Sequence, residues 1–425
     1  MPISKSMVTR LALLLGTMII PFGLFAGSIV NAQTSDHRDA HAGKTEIRCG
    51  FPGGNIIVDR IEEEEVYLHQ DPRDTKRWWF YWYFEAEAPA GSRRTFHFTD
   101  GNVMTTRGPA CSTDGGRTWR WLGPEAIEND SFTFVFPNTT DSRERSTARF
   151  CLAMPYQAAD LDAFLSRHED DPALRYETHA LDETETPALR IFLGQHEESL
   201  CRHRVLLTCR HHSCEMMASW VLEGLMEAVL SKTDDGEWLR KHVEFLILPM
   251  MDPRGVENGD QGKGRHPHDH NRDYIKDPIY PTVRALKHFF PKWSHGKTRV
   301  AIDLHCPYIR GGNNETIFFV LGPDEPQTEQ LAVFSNVLER EGTSPLPYRA
   351  ANNYPWGKGW NNAEMRTSFR SWAEKQKGIL IATTLEIPYA NAEGEAVTIA
   401  SAKAFGADLT HSLRSYLENQ PCVAE

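Results

Sequence analysis

Arg204-Val205-Leu206-Leu207-Thr208 leads into His212-Ser213-Cys214-Glu215, and Ala218-Ser219-Trp220-Val221-Leu222 follows. The first run is short and apolar, as a buried strand is; the last opens a helical pattern continued by Leu225, Met226, Val229 and Leu230. A pair three residues apart at a helix start faces one way, so His212 and Glu215 converge. A second apolar run rich in β-branched residues, Arg299-Val300-Ala301-Ile302-Asp303-Leu304, ends at His305. Sheet topology brings the ends of such strands together. Two imidazoles and one carboxylate, with a fourth position left for water or a substrate oxygen, make the donor set of a catalytic zinc. His212, Glu215 and His305 are therefore the expected ligands of one Zn2+ per chain.

Two further segments fall in line with these. Asp269-His270-Asn271-Arg272 lies between the ligand-bearing runs, and Leu380-Ile381-Ala382-Thr383-Thr384-Leu385-Glu386 brings a carboxylate to the end of another apolar run. Beyond Tyr156 strand and helix patterns alternate, which predicts an α/β domain with a mixed, mostly parallel central sheet flanked by helices. Helical periodicity is clear over 331–340, and Phe405, Leu409, Leu413, Tyr416 and Leu417 mark a closing amphipathic helix. Ahead of this domain, short runs such as Asn55-Ile56-Ile57-Val58, Thr95-Phe96-His97-Phe98, Phe132-Thr133-Phe134-Val135-Phe136 and Ala148-Arg149-Phe150-Cys151-Leu152 are separated by turn residues. They predict a small antiparallel β-sandwich. The run Trp78-Trp79-Phe80-Tyr81-Trp82-Tyr83-Phe84 belongs to it. Period-two alternation sets Trp79, Tyr81 and Tyr83 on one side and Trp78, Phe80, Trp82 and Phe84 on the other. Burial of both faces is simpler than a carbohydrate-binding platform. The expected organisation is a signal peptide over 1–32, a disordered lead-in over 33–44, the β-sandwich over 45–155 and the catalytic domain over 156–420.

With these four motifs in this order, the chain resembles the zinc carboxypeptidases of the funnelin (M14) family, most closely the branch of cytosolic carboxypeptidases and their bacterial relatives. The resemblance covers nearly all of the chain after the signal. It implies the zinc carboxypeptidase fold with a β-domain ahead of it, and zinc bound by His212, Glu215 and His305. It further implies Asp269 behind the first zinc histidine, Asn271 and Arg272 on the terminal carboxylate of a peptide substrate, and Glu386 as the catalytic glutamate.

The chemistry of these residue types agrees. A carboxylate beside a zinc-activated water can take its proton and later deliver it to the leaving amine, which suits Glu386. A free α-carboxylate is read well by a guanidinium fork with a neighbouring amide, as Arg272 and Asn271 offer. A metal-bound imidazole normally donates its second nitrogen to a carboxylate, a place for Asp269. The developing oxyanion needs a preorganised cation. Arg265, in Gly262-Lys263-Gly264-Arg265, is the expected candidate, with Arg254 as the alternative. Departures from the family pattern are Ser213-Cys214 between the first two ligands, Asp252-Pro253-Arg254-Gly255 in place of N-P-D-G, and a loop enriched in His266, His268 and His270. Cys214 reads as structural, and the three loop histidines as solvated or supporting groups. Arg310, Arg366 and Arg370 are candidates for a basic pocket that would suit an acidic C-terminal residue, as in the deglutamylating members the chain resembles.

Lys5 and Arg10, the apolar stretch that follows, and Val30-Asn31-Ala32 form the pattern of a secretory signal, which predicts a secreted or periplasmic enzyme. An oxidising compartment would permit disulfides among the eight cysteines. A net charge of −12 without a basic run argues against nucleic acid and anionic membranes as partners, leaving a peptide with a free C-terminal carboxylate. The sequence does not specify an oligomeric state. Two other functions fit the same residues: a zinc amidohydrolase acting on peptidoglycan stem peptides or N-acyl amino acids, and a non-catalytic protein whose β-domain grips a wall polymer.

Overall fold

The apolar runs become the centre of a seven-stranded sheet in the computed structural model, which describes residues 44–138 and 145–421. Val243–Leu248, His203–Cys209, Thr298–His305 and Ile381–Glu386 lie side by side and parallel. Every residue in these four strands is buried, which is why they read as continuous apolar runs and not as alternating ones. Antiparallel strands close both edges: Leu174–Leu181 and Pro187–Gly194 on one side, Phe318–Val320 on the other. The expected mixed, mostly parallel sheet is present.

Successive side chains enter opposite layers. Val205, Leu207, Val300 and Ile302 join the core containing Leu222, Leu225 and Val229 of helix Met216–Leu230 and Phe405 and Leu409 of helix Ile399–Glu418. Leu206 and Ala301 join a second core with Leu286, Phe290 and Trp293 of helix Pro281–Ser294. Helices Met216–Leu230 and Ile399–Glu418 touch through glycine. A Cβ added at Gly224 would stand 2.2 Å from the Lys403 carbonyl oxygen, and one at Gly406 would stand 2.2 Å from that of Val221. Only glycine permits this approach, and it seats the helix that begins directly after Glu215.

Two five-stranded sheets precede this layer. One runs Glu46–Arg48, Tyr83–Pro89, Arg145–Cys151, Ala110–Ser112, Arg120–Trp121, and the other Ile57–Glu62, Glu65–His69, Arg93–Phe98, Ser131–Val135, Ile127–Glu128. All pairs are antiparallel except Glu65–His69 with Arg93–Phe98. Stacked and tilted rings fill the space between the sheets, with Phe96 and Phe132 4.8 Å apart and Trp82 and Phe98 4.7 Å apart. The aromatic run departs from simple alternation because the strand begins only at Tyr83. Trp82 and Phe84 enter the sandwich, whereas Phe80 turns the other way onto Tyr308 and Tyr389. These buried rings offer no flat platform for a sugar. Apolar packing then runs without a break from the sandwich into the α/β layers.

Candidate metal centre

Strand ends and one turn supply the donors. His212 follows strand His203–Cys209, Glu215 is the residue before helix Met216–Leu230, and His305 ends strand Thr298–His305. His212 Nδ1 lies 2.8 Å from Glu215 Oε1, His305 Nδ1 lies 2.6 Å from Glu215 Oε2, and the two imidazole nitrogens are 3.1 Å apart. All three residues are buried. Burial would raise the Glu215 carboxyl, but the two imidazoles outweigh it and hold the group well below the usual carboxylate range.

The outward nitrogen of each ring also meets an acid. His305 Nε2 is 2.5 Å from Asp303 Oδ2, and His212 Nε2 is 3.6 Å from Asp269 Oδ1. An acid behind each Nε2 favours the tautomer whose Nδ1 lone pair points inward. Lone pairs converging at these distances repel unless a cation or proton lies between them, so the donor set fits zinc. Among the described residues His211, Asp303 and His305 also come within reach of one another. His211 is already engaged on both sides, by Asp303 Oδ1 at 2.7 Å and by the Tyr274 hydroxyl at 2.8 Å. It supports Asp303, which also accepts from Thr208 Oγ1 at 2.8 Å.

Glu386 ends strand Ile381–Glu386 directly opposite His305 on the neighbouring parallel strand. Its Oε2 is buried and has no protein hydrogen-bond partner. Burial pushes this carboxyl up to about 7, with Glu215 pushing the same way and His305 opposing. Asn271 and Arg272 lie in the short turn His270–Arg272. Asn271 Oδ1 accepts the Phe369 N–H at 2.8 Å, Asn271 Nδ2 comes within 3.1 Å of His305 Nε2, and Arg272 donates to the Asn271 carbonyl at 2.9 Å. His212, His305, Asn271, Arg272 and Glu386 all line one cavity of about 570 Å³, together with Trp79, Lys263, Tyr308 and Lys358.

Arg265 is not among the residues lining it. Its guanidinium is enclosed by Asp252 at 2.7 Å, Asp260 at 3.0 Å and Asp74 at 3.3 Å, an acidic nest that takes up its charge. Arg254 pairs with Glu183 at 2.5 Å on the surface. Neither arginine expected for the oxyanion thus faces the cavity. The three arginines expected for a basic pocket are also engaged elsewhere: Arg310 with Asn102, Arg366 with the Ala363 carbonyl, and Arg370 with Glu374. Of the loop histidines, His268 contacts Asp273 at 2.7 Å and His270 stacks on Tyr280. Sequence reasoning passed over Asp303, although Asp-x-His on a strand aims both side chains to one face. His211 and Tyr274 carried no local signal, and Lys263 none that set it apart from Arg265 in the same loop.

Residues 180–378 match the peptidase M14 family, described as zinc carboxypeptidase. The chain carries an M14 zinc carboxypeptidase domain. It is 30% identical over 197 residues to cytosolic carboxypeptidase 3 of Bos taurus, covering 44% of this chain and 19% of that protein. It is 24% identical over 295 residues to cytosolic carboxypeptidase 6 of Caenorhabditis elegans, covering 62% of each. The chain thus spans between about a tenth and about three fifths of the length of such curated relatives. In fold it is similar to a metallo-carboxypeptidase from Burkholderia cenocepacia, with a TM-score of 0.73, 17% identity, and 88% of this chain and 99% of the other covered.

The M14 relatives correct one expectation. A secreted or periplasmic location was read from residues 1–32, which lie outside the described residues, whereas the matched relatives are named as cytosolic enzymes. All seven described cysteines are free thiols, so the disulfides that export would permit are not formed among them. No helix among the described residues is long and apolar enough to cross a membrane.

Proposed function

We propose that this protein is a zinc metallocarboxypeptidase that hydrolyses the C-terminal peptide or isopeptide bond of a peptide substrate. The observation that carries the reading is that His212 and His305, which converge with Glu215 into one donor set, line the same cavity as Glu386, whose buried Oε2 has no hydrogen-bond partner. Zinc held by those three residues supplies a Lewis acid that polarises the scissile carbonyl and lowers the pKa of water. Glu386 takes a proton from the attacking water and delivers it to the departing amine. Asn271 and Arg272 hold the substrate's terminal carboxylate, which orients the bond to be cut. Asp269 and Asp303 keep the two imidazoles in the binding tautomer. The same reading divides the chain near residue 155, with the sandwich as a wall of the cavity through Trp79 and the α/β layers as the chemical centre.

Metal analysis together with mass spectrometry of a peptide library tests this, for the wild type and Glu386→Gln. Zinc in both, with stepwise loss of C-terminal residues only in the wild type, is expected. Zinc without trimming by the wild type would turn the assignment to an amidohydrolase with a narrower substrate. Absence of zinc would overturn the donor set.

A further inference from the structure

The geometry points to Lys263 as the cation that faces the oxyanion formed during hydrolysis, an inference that rests on the peptidase reading above. Gly262 and Gly264 flank it with φ of +74° and +64°, a conformation that suits residues without a Cβ. The turn packs directly on the metal segment: a Cβ at Gly262 would stand 2.2 Å from the Ser213 nitrogen and 2.9 Å from the His212 carbonyl carbon. The backbone on either side is pinned. Asp74 accepts the Gln261 and Gly262 N–H groups, each at 2.8 Å, Asp269 accepts that of Gly264 at 3.2 Å, and the Gly264 carbonyl accepts the Lys76 N–H at 3.2 Å. Lys263 is thus delivered into the cavity beside His212 and Glu386 on a rigid support.

The ammonium is also uncommitted. Among the described residues it has no hydrogen-bond or ion-pair partner, and its nearest aromatic neighbour is Trp79, with the nitrogen 5.9 Å from the ring centroid. Lys263 lines the same cavity as His212, His305 and Glu386, which locates it at the reacting end. Arg265, two residues on, is neutralised by three carboxylates, and Arg272 is taken by the terminal carboxylate in the reading above. In the addition step the water oxygen bonds to the carbonyl carbon, one water proton passes to Glu386, and the carbonyl π pair moves onto oxygen, whose charge meets Lys263. Collapse restores the carbonyl and breaks the carbon–nitrogen bond, while the amine nitrogen takes the proton from Glu386. A cation fixed beside the reacting carbonyl stabilises the charged stage more than the neutral carbonyl, so it raises kcat more than it lowers KM.

The test compares the zinc-loaded wild type with Lys263→Met and Lys263→Arg. It measures zinc content, kcat, KM, and affinity for a phosphinic peptide that mimics the tetrahedral stage. Affinity for uncleaved peptide is measured in a Glu386→Gln background. Lys263→Met is expected to keep zinc and lower kcat by roughly 10²- to 10³-fold. KM and uncleaved-peptide affinity should stay within about threefold, and phosphinate affinity should fall in parallel with kcat. A rise in KM with kcat preserved, or loss of uncleaved-peptide affinity, would overturn the assignment in favour of a ground-state carboxylate binder, and unchanged kinetics would overturn it outright. Should the Met variant lose zinc or fail to fold, Lys263→Arg decides. A kcat within roughly tenfold of wild type supports a cationic role, and a collapse of kcat with zinc retained rejects it. A zinc-loaded wild type that trims no peptide would instead sink the peptidase reading, a failure visible before any variant is compared.

Discussion

His305 and Glu386 are register partners, each the last residue of its strand and each on the same edge of the parallel sheet. Neighbouring strands run about 4.8 Å apart, so the backbone itself holds the carboxylate next to a metal donor. The sheet therefore fixes the spacing between the proposed base and a proposed metal donor.

The environment of Glu386 sets a pH dependence. Burial raises its carboxyl to about 7 in the metal-free protein, and a bound dication draws it lower. Below its pKa the group already carries a proton and cannot accept another, so kcat/KM is expected to fall as pH drops through an acid limb lying below about 7. A pH–rate profile checks this, and a limb well on the alkaline side of neutrality would count against Glu386 as the base.

Asp303 joins His305, His211 and Thr208. Asp303→Asn should weaken zinc binding by about 10- to 100-fold, because the His305 tautomer loses its acceptor. Chelator competition gives the number, and unchanged affinity would show that the packing alone orients the ring.

Gly224 and Gly406 stand where helices Met216–Leu230 and Ile399–Glu418 touch. Gly224→Ala improves helix propensity by about 1 kcal/mol, but the added methyl meets backbone that cannot step aside. A net loss of about 2 kcal/mol is expected from overpacking. Urea denaturation measures it, and a stabilised variant would mean that the helices separate easily.

His203 is buried with neither ring nitrogen hydrogen-bonded, and burial pushes it down to about 4. Between the unfolded value near 6.5 and that figure, the unfolded chain binds the proton and the folded chain does not. Stability is then complete above about 6.5 and declines as pH falls toward about 4, by up to roughly 3 kcal/mol from this group. His203→Leu should lose less stability than the wild type between about pH 7.5 and about pH 5, and an equal loss would locate the acid sensitivity elsewhere.

Lys358 lines the cavity wall near the stacked pair Tyr354 and Trp360, a position that none of the three suspected arginines occupies. A cation there favours an acidic departing side chain. Lys358→Glu should move the preference among Glu-, Leu- and Lys-terminated peptides away from Glu by about tenfold, a difference of about 1.4 kcal/mol. A preference that does not move would leave selection to the surrounding apolar wall.

What the sequence determined by itself was everything that depends on neighbours along the chain. Buried parallel strands need unbroken apolar runs, a helix repeats every few residues, and His212 and Glu215 share a face because of their spacing, so sheet, helices and the convergence of that pair were legible. Charge partnership was not. Arg265 and Lys263 lie in one short loop and look interchangeable as cations, yet Asp74, far away in the chain, helps enclose the first and leaves the second open to the cavity. Asp303 likewise acquires its partners across the sheet, from His211 and Thr208, and the aromatic run divides between two cores only once Phe80 finds Tyr308 and Tyr389. Hydrophobic periodicity is a property of local backbone geometry, whereas which charge neutralises which depends on distances in space, and only the tertiary structure decides those.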